Sequence, residues 1–284
     1  MDRNDLLTRF TPAAHRGASR QYPENTLEAF QRALEILPQC LLEIDVRRTS
    51  EGEVVVFHDE FLDPKTDGTG PVAAKTVSEI RRLDLGYGIS FDDGTTFPFR
   101  SRGFRIPTLE ETLEAFPSAK ISVDIKDDDL NAAVRAVSAI NEKKAGYRVI
   151  IGSFHSRIVR FVRIQYPHIA THFSRMDIMR FLLLHKAGVA RFYPKAGTAM
   201  FIPEFADMEN PEYREGARRQ GMRIISPRLI RDAHRMGIPV VAWTINRIEN
   251  MRRLISWGVD GIVTDYPDLL KQVMGEKGLI DRRQ

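Results

Sequence analysis

Cysteine is almost absent from this chain. The one cysteine, Cys40, excludes an internal disulfide and any multi-cysteine zinc or iron–sulfur site, so a bound metal would have to be held by carboxylates and histidines. Long apolar runs are missing as well. The most apolar stretch, Phe181 to Leu184, is far too short to span a bilayer, and the opening MDRNDLLTRFTPAAHRG lacks the apolar segment of a signal peptide. A cytoplasmic protein without a transmembrane segment is the expectation. Nor is there a strong excess of one charge: 42 Lys plus Arg stand against 38 Asp plus Glu, a net +4. The basic residues are spread along the chain, without a basic run or an aromatic-interleaved motif, so nucleic acid is not an expected partner.

What is present is the composition of a folded globular protein, 43% hydrophobic and 28% charged over 284 residues. That length exceeds the commonest domain size but suits a single barrel of strands and helices. Short β-branched runs alternate with segments of helical spacing. Strands are predicted at Pro12 to His15, Leu41 to Val46, Lys120 to Ile125, Arg148 to Phe154, Ala170 to Ser174, Ala199 to Phe205 (with Arg223 to Ser226 as a rival), Pro239 to Asn246 and Gly261 to Asp265. Helices are predicted at Asn25 to Leu37, Leu109 to Ala115, Leu130 to Lys143, Ser156 to Tyr166, Asp177 to Lys186, Pro211 to Gln220, Arg228 to Met236 and Ile248 to Trp257. Repeated βα units of this kind predict an α/β fold, a closed (β/α)8 TIM barrel, with a doubly wound open sheet as the alternative. From Asp59 to Pro107 the rhythm breaks. That stretch is rich in Gly, Pro, Asp and Thr, with one short helical candidate at Thr76 to Leu83, and reads as a small inserted subdomain over one end of the barrel. The expectation is one barrel domain over residues 1–284 with 59–107 inserted after the second strand. The polar stretch from Gly275 to Gln284 reads as a loosely held tail.

The chemistry concentrates on two strands. In LLEIDV, period-2 alternation sends Glu43 and Asp45 to one face and Leu42, Ile44 and Val46 to the other. Two carboxylates in a barrel interior repel each other and lose solvation unless a cation compensates. KISVDIKD repeats the arrangement, with Asp124 and Lys126 on one face. Glu43, Asp45 and Asp124 can then converge near the C-terminal ends of the strands, where barrel enzymes place their sites. An all-oxygen set selects a hard divalent cation, Mg²⁺ or Ca²⁺. Lys126 either neutralises an anionic substrate or pairs structurally with Asp124.

Two histidines end strands, His15 in AHRG and His58 in VVVFHDE, and together suit acid and base roles near neutrality. His155, His168, His172, His185 and His234 lack that context and are assigned to surface or packing roles. Arg16 offers a planar fork for phosphate oxygens, and Gly17 a close backbone approach. In PENT, Glu24 and Asn25 sit at a helix start, where Asn25 reads equally as an N-cap. Trp243 in WTIN, with Asn246 and Asp265, lies at a strand end; Trp243 either packs or walls the substrate.

In order and spacing, AHRG, PENTLEAF, LEIDVRRTSEGEVVVFHDE, TDGTG, IRRLDLG, IPTLEE, VDIK, AWTIN and VDGIVTDYPD resemble the glycerophosphodiester phosphodiesterase family over nearly the whole chain. The resemblance implies the barrel with its small insertion. It also implies His15 and His58 as the catalytic pair, Glu43, Asp45 and Asp124 as ligands of one divalent cation, and Arg16 and Lys126 near the phosphate. The family usually carries glutamate where this chain has Asp124. Aspartate is one methylene shorter, so ligation there needs a shifted metal or an intervening water.

The activity so implied is hydrolysis of glycerophosphodiesters to an alcohol and glycerol 3-phosphate, with His15 as base and His58 as acid. By likeness to related barrel phosphodiesterases, a neighbouring glycerol hydroxyl attacks first and water then opens a cyclic phosphate. Lysophospholipase D action on a lysophospholipid is the alternative, with Phe181 to Leu184, Phe192, Tyr193 and Phe201 as a tail-binding mouth or, more readily, as core. A catalytically silent binding protein is the alternative of another class, disfavoured by the intact set of two histidines and three acids. No oligomeric state follows from these residues.

Overall fold

In the computed structural model, residues 6–7, 10–206 and 221–279 are described. Among them, nine strands form one sheet: β1 (Thr11–His15), β2 (Leu41–Arg48), β3 (Val54–Val56), β4 (Lys120–Ile125), β5 (Val149–Gly152), β6 (Ala170–Thr171), β7 (Met200–Pro203), β8 (Val240–Trp243) and β9 (Gly261–Thr264). The order is β6-β5-β4-β2-β1-β9-β8-β7, parallel throughout, with β3 set antiparallel on β2. The sheet curls until its two end strands touch. His172 and Ala199 form an isolated parallel bridge there, the Thr198 amide donates to the Thr171 carbonyl at 2.8 Å, and the Phe173 amide donates to Ala199 at 3.0 Å.

Alternation along the strands divides the core in two. Leu42, Ile44, Val46, Ile121, Val123 and Ile125 face outward into one apolar cluster shared with the helices. Ala13, Leu41, Ile150, Ala199, Phe201, Val241 and Val263 face inward and fill the curl. Each fully buried Leu, Ile or Val contributes about 1.5–3 kcal/mol.

The helices are α1 (Leu27–Ile36), α2 (Val77–Ile80), α3 (Leu109–Ala115), α4 (Leu130–Glu142), α5 (Ser156–Gln165), α6 (Arg175–Lys186), α7 (Pro227–Arg235), α8 (Ile248–Trp257) and α9 (Pro267–Glu276). Local chemistry sets their starts. Thr76, Thr108 and Ser174 form capping boxes with Glu79, Glu111 and Asp177, while Ser226 caps α7 ahead of Pro227 at its first turn. α8 stops at Gly258, whose φ of 93° is the left-handed conformation that glycine supplies without strain.

Several expectations shift. α1 is capped by Thr26, not by Asn25, which has φ 59° and points elsewhere. β6 is only two residues long, because Ser174 is already the cap of α6. Arg223 to Ser226 is no strand; Arg223 makes one antiparallel bridge with Phe205, and Ser226 caps α7. β3 is the strand expected before His58, ending at Val56, two residues short of it, and α9 is an addition. α9 takes Gly275 and Glu276 out of the expected tail. The helix expected at Pro211 to Gln220 lies outside the described residues. Within 59–107, Leu62, Val72, Ile80, Leu85, Phe104 and Ile106 gather with Val55 and Phe57 in a third apolar cluster. No helix among the described residues is long and apolar enough to cross a membrane.

Candidate active site

Strand register brings the acidic residues together. β1 pairs with β2 so that His15 lies beside Glu43, and β2 pairs with β4 so that Asp45 lies beside Asp124. Glu43, Asp45 and Asp124 each offer a carboxylate oxygen, all within 4.8 Å of one another. β3 folds back along β2, and the Phe57 amide donates to the Asp45 carbonyl at 2.9 Å, so His58 is delivered to the same end of the sheet. His15, Arg16, Glu24, Glu43, His58, Asp124, Lys126 and Trp243 all line a cavity of about 1240 Å³; Asp45, fully buried, lies beneath its floor.

The charges around Asp45 explain how it stays ionised. Burial opposes its carboxylate, but Arg16 and Lys126 outweigh that and hold its pKa well below the usual range. Arg16 Nε stands 2.9 Å from Oδ2 and Lys126 Nζ 2.8 Å from Oδ1. Both are ion-pair distances without hydrogen-bond alignment, so Asp45 Oδ1 and Arg16 Nε are buried without a hydrogen bond. Asn25 completes the clamp: its Nδ2 donates to Asp45 Oδ2 at 3.0 Å and its Oδ1 accepts from the Asp45 amide at 3.2 Å. The left-handed backbone at Asn25, a conformation asparagine tolerates, turns the side chain toward Asp45.

Glu43 lies at the other extreme. Burial, reinforced by the nearby Asp45 charge, raises its pKa to about 7, against the pull of His15 and Lys126. Lys126 Nζ sits between two of the three acids, 2.6 Å from Asp124 Oδ2 and 2.8 Å from Asp45 Oδ1. Burial works against its charge, but Asp124 and Asp45 raise its pKa above the ordinary lysine value. Lys126 thus bridges two of the acids while Glu43 is pushed toward neutrality, and the three carboxylates could together hold a metal ion. The donor set fits a hard divalent cation.

Each strand-end histidine has a carboxylate behind it. His15 Nδ1 donates to Asp265 Oδ1 at 2.6 Å, leaving Nε2 turned toward Glu43, 3.9 Å from its Oε2. Burial and Arg16 both work against the imidazolium, yet Asp265 and Glu43 outweigh them and raise the His15 pKa. Asp265 is itself held by Ser19 Oγ at 3.1 Å and Asn246 Nδ2 at 2.6 Å. His58 Nδ1 donates to Asp59 Oδ1 at 2.7 Å, and Lys65 Nζ lies 2.8 Å from Asp59 Oδ2. Burial opposes the Asp59 carboxylate, but the His58 and Lys65 contacts hold its pKa far below the usual range.

Arg16 is fixed by its other arm. Its Nη1 donates to Glu24 Oε1 at 2.8 Å, an oxygen that also accepts from Lys65 at 2.7 Å. Lys65 thereby ties the 59–107 stretch to the first βα loop. Gly17 follows with φ 85°, and a Cβ there would meet the Ala29 backbone carbon at 2.7 Å, so α1 packs against the Arg16 loop only because residue 17 is glycine. Trp243 ends β8 and meets Phe154 edge-on at 5.8 Å between ring centroids.

Three features carried no signal in sequence spacing. Asp265, grouped above with pocket-lining residues, is the partner of His15. Asn25 is a ligand of Asp45 and not a helix cap. His172, assigned above to surface or packing, lines the cavity, as does His155. His172 stacks on Phe201 at 3.8 Å and lies 3.1 Å from Ser122 Oγ, and burial lowers its pKa to about 4. Of the residues expected at a tail-binding mouth, Leu182 and Phe201 line the cavity. Phe181 and Tyr193 are buried in the outer core with Leu184 packed against it, while Leu183 and Phe192 are exposed.

Comparison with known proteins agrees with this geometry. The model of the glycerophosphoryl diester phosphodiesterase family matches residues 15–269. The chain belongs to that family. Membership makes it an enzyme of the phosphoric diester hydrolase class. A glycerophosphodiester phosphodiesterase of Caldanaerobacter subterraneus subsp. tengcongensis is 33% identical over 270 residues, covering 93% of this chain and 98% of that protein. A human lysophospholipase D is 27% identical over 270 residues, covering 92% of this chain and 85% of the relative. The crystal structure of a glycerophosphodiester phosphodiesterase from Agrobacterium tumefaciens superposes with a TM-score of 0.70 at 25% identity, covering 94% of this chain and 99% of that one.

Proposed function

We propose that this family member hydrolyses glycerophosphodiesters to an alcohol and glycerol 3-phosphate in the cytoplasm. Its curled sheet is read as a closed (β/α)8 barrel, a single domain in which 59–107 forms an inserted subdomain built on its own apolar cluster. The observation that carries the function is the convergence of Glu43, Asp45 and Asp124 within 4.8 Å, in a cavity also lined by two carboxylate-backed histidines.

Glu43, Asp45 and Asp124 would hold one divalent cation, Mg²⁺ or Ca²⁺. Bound there, it supplies positive charge that polarises a phosphoryl oxygen. The chain's own groups do the rest. Arg16, anchored by Glu24, and Lys126 neutralise the phosphodiester anion, their positions fixed before substrate arrives. His15, its Nδ1 proton committed to Asp265, keeps Nε2 free to accept the proton of the attacking hydroxyl. His58, oriented by its Nδ1 contact with Asp59, donates a proton to the departing alcohol. A glycerol hydroxyl next to the phosphate is the favoured nucleophile, since intramolecular attack gains high effective molarity; it expels the alcohol to leave a cyclic phosphate, which water then opens to glycerol 3-phosphate. The test follows release of alcohol and glycerol 3-phosphate from glycerophosphocholine with Mg²⁺, with Ca²⁺, with chelator, and in His15→Ala and His58→Ala. Full activity in chelator or in both variants overturns the proposal.

One observation favours a second reading, lysophospholipase D action. Part of the cavity wall is apolar, formed by Phe154, Phe173, Ile178, Leu182, Phe201 and Ile202. Such a wall suits an acyl chain. Turnover of lysophosphatidylcholine against glycerophosphocholine separates the two substrates.

A further inference from the structure

We propose that the outer face of α6 docks the cavity mouth onto an anionic phospholipid surface. At 100° per residue, the exposed positions Arg175, Met176, Met179, Arg180, Leu183 and Lys186 fall within one arc of about 140°. Met176 is 53% exposed, Met179 50% and Leu183 65%. Three large apolar side chains and three cations therefore share one solvent-facing surface, with no acid among them. The acid of this helix, Asp177, is buried on the other side, bonded to Ser174 at 2.8 Å and to Arg163 at 3.0 Å. Arg175, Arg180 and Lys186 make no ion pair with a described residue. The next segment, Ala190–Phe192, packs against α6 and adds the exposed Arg191 and Phe192.

A helix that faces only water ordinarily turns polar residues outward and pairs its charges three or four positions apart. Here the outward face combines cations with Met and Leu, the combination that seats an interfacial helix about 5–10 Å into a headgroup layer. The cations complement anionic headgroups, and the apolar side chains reach past them. An acidic protein would satisfy the cations but leave Met176 and Leu183 without a reason to face outward. The face is also continuous with the cavity. Ile178 and Leu182 line it from the inner side of the same helix, and Arg175 and Met179 belong to both surfaces.

The test mixes the full chain with sucrose-loaded vesicles of phosphatidylcholine alone or with phosphatidylglycerol added. The chain is expected to sediment with the anionic vesicles, far less with the neutral ones, and to be released by high salt. M176D/L183D and R180E/K186E, neither of which touches the cavity, should each lower the partition coefficient about tenfold or more. Their circular dichroism and thermal midpoint should stay those of the parent. Equal sedimentation with both vesicle types, no sedimentation with either, or parental binding by both variants overturns the proposal. So does light scattering that shows a dimer converted to monomer by M176D/L183D without vesicle binding, since the face would then join two copies of the chain.

Discussion

His15 and Asp265, 250 residues apart, meet at 2.6 Å because β1 and β9 lie side by side in the sheet. A carboxylate can only accept, so this contact fixes the proton of His15 on Nδ1 and presents Nε2 to the cavity. Asp265 also helps to raise the His15 pKa. Asp265→Asn should therefore lower kcat for glycerophosphocholine by about a hundredfold or more, the scale of a lost general base. It should also shift the acid limb of the kcat/KM profile to lower pH. A purely structural Asp265 would lower thermal stability and leave that limb in place.

Glu43 should make metal loading pH-dependent. Burial and the Asp45 charge raise its pKa to about 7, so below that pH a proton competes with the cation for the carboxylate. The metal concentration for half-maximal activity should rise about tenfold for each unit below pH 7 and level off above it. Glu43→Gln should abolish that dependence and weaken metal binding, which isothermal titration with Mg²⁺ or Ca²⁺ reads without any turnover. A flat dependence in the parent enzyme contradicts the assignment of Glu43 as a ligand.

The readable parts of this sequence were those whose period was unbroken. LLEIDV and KISVDI alternate strictly, and both elements lie where the alternation places them, with β4 at Lys120–Ile125 and Asp124 beside Asp45. α3 and α8 likewise have the expected bounds, set by Thr108 and Gly258. What escaped depends on partners distant in the chain. The strand read in VVVF is there as β3, but its antiparallel place on the edge of β2 carries no local signal. α9 begins at Pro267, which as readily marks a turn as a first helical residue. Asn25 looks like a cap because its true partner, Asp45, lies 20 residues on. His172 follows a strand of two residues, too short for alternation to show which way it points.

Asn25 holds Asp45 through two contacts, from a backbone at φ 59°. Asn25→Ala loses both and leaves the Asp45 carboxylate, already short of a hydrogen bond at Oδ1, with less support. The expected cost is about 2–4 kcal/mol of stability in urea, from two hydrogen bonds in a charged, buried setting plus the strain of alanine in the left-handed region. Asn25→Asp, nearly isosteric, should cost at least as much stability in the absence of metal, because it replaces a donor with a like charge beside the buried Asp45. A stability change under about 0.5 kcal/mol in Asn25→Ala would be that of an ordinary surface substitution and would contradict the clamp.

His172 should make the fold sensitive to acid. Burial lowers its pKa from 6.5 to about 4, so between those values the unfolded chain binds a proton that the folded chain does not. The sign follows directly: stability is full above pH 6.5 and is lost as pH falls toward 4, by at most about 3 kcal/mol. Urea midpoints at pH 7.5 and pH 5 measure the loss. His172→Gln has no proton to gain in that window and should flatten the dependence. Gly152→Ala tests the same packing from below, since a Cβ at residue 152 would stand 2.3 Å from His172 Nδ1 and force the ring off Phe201. A ring so displaced reaches water and regains its ordinary pKa, so Gly152→Ala should be less stable at pH 7.5 yet lose less on acidification. If both variants keep the parental acid sensitivity, the loss arises from other groups and the buried neutral state of His172 is wrong.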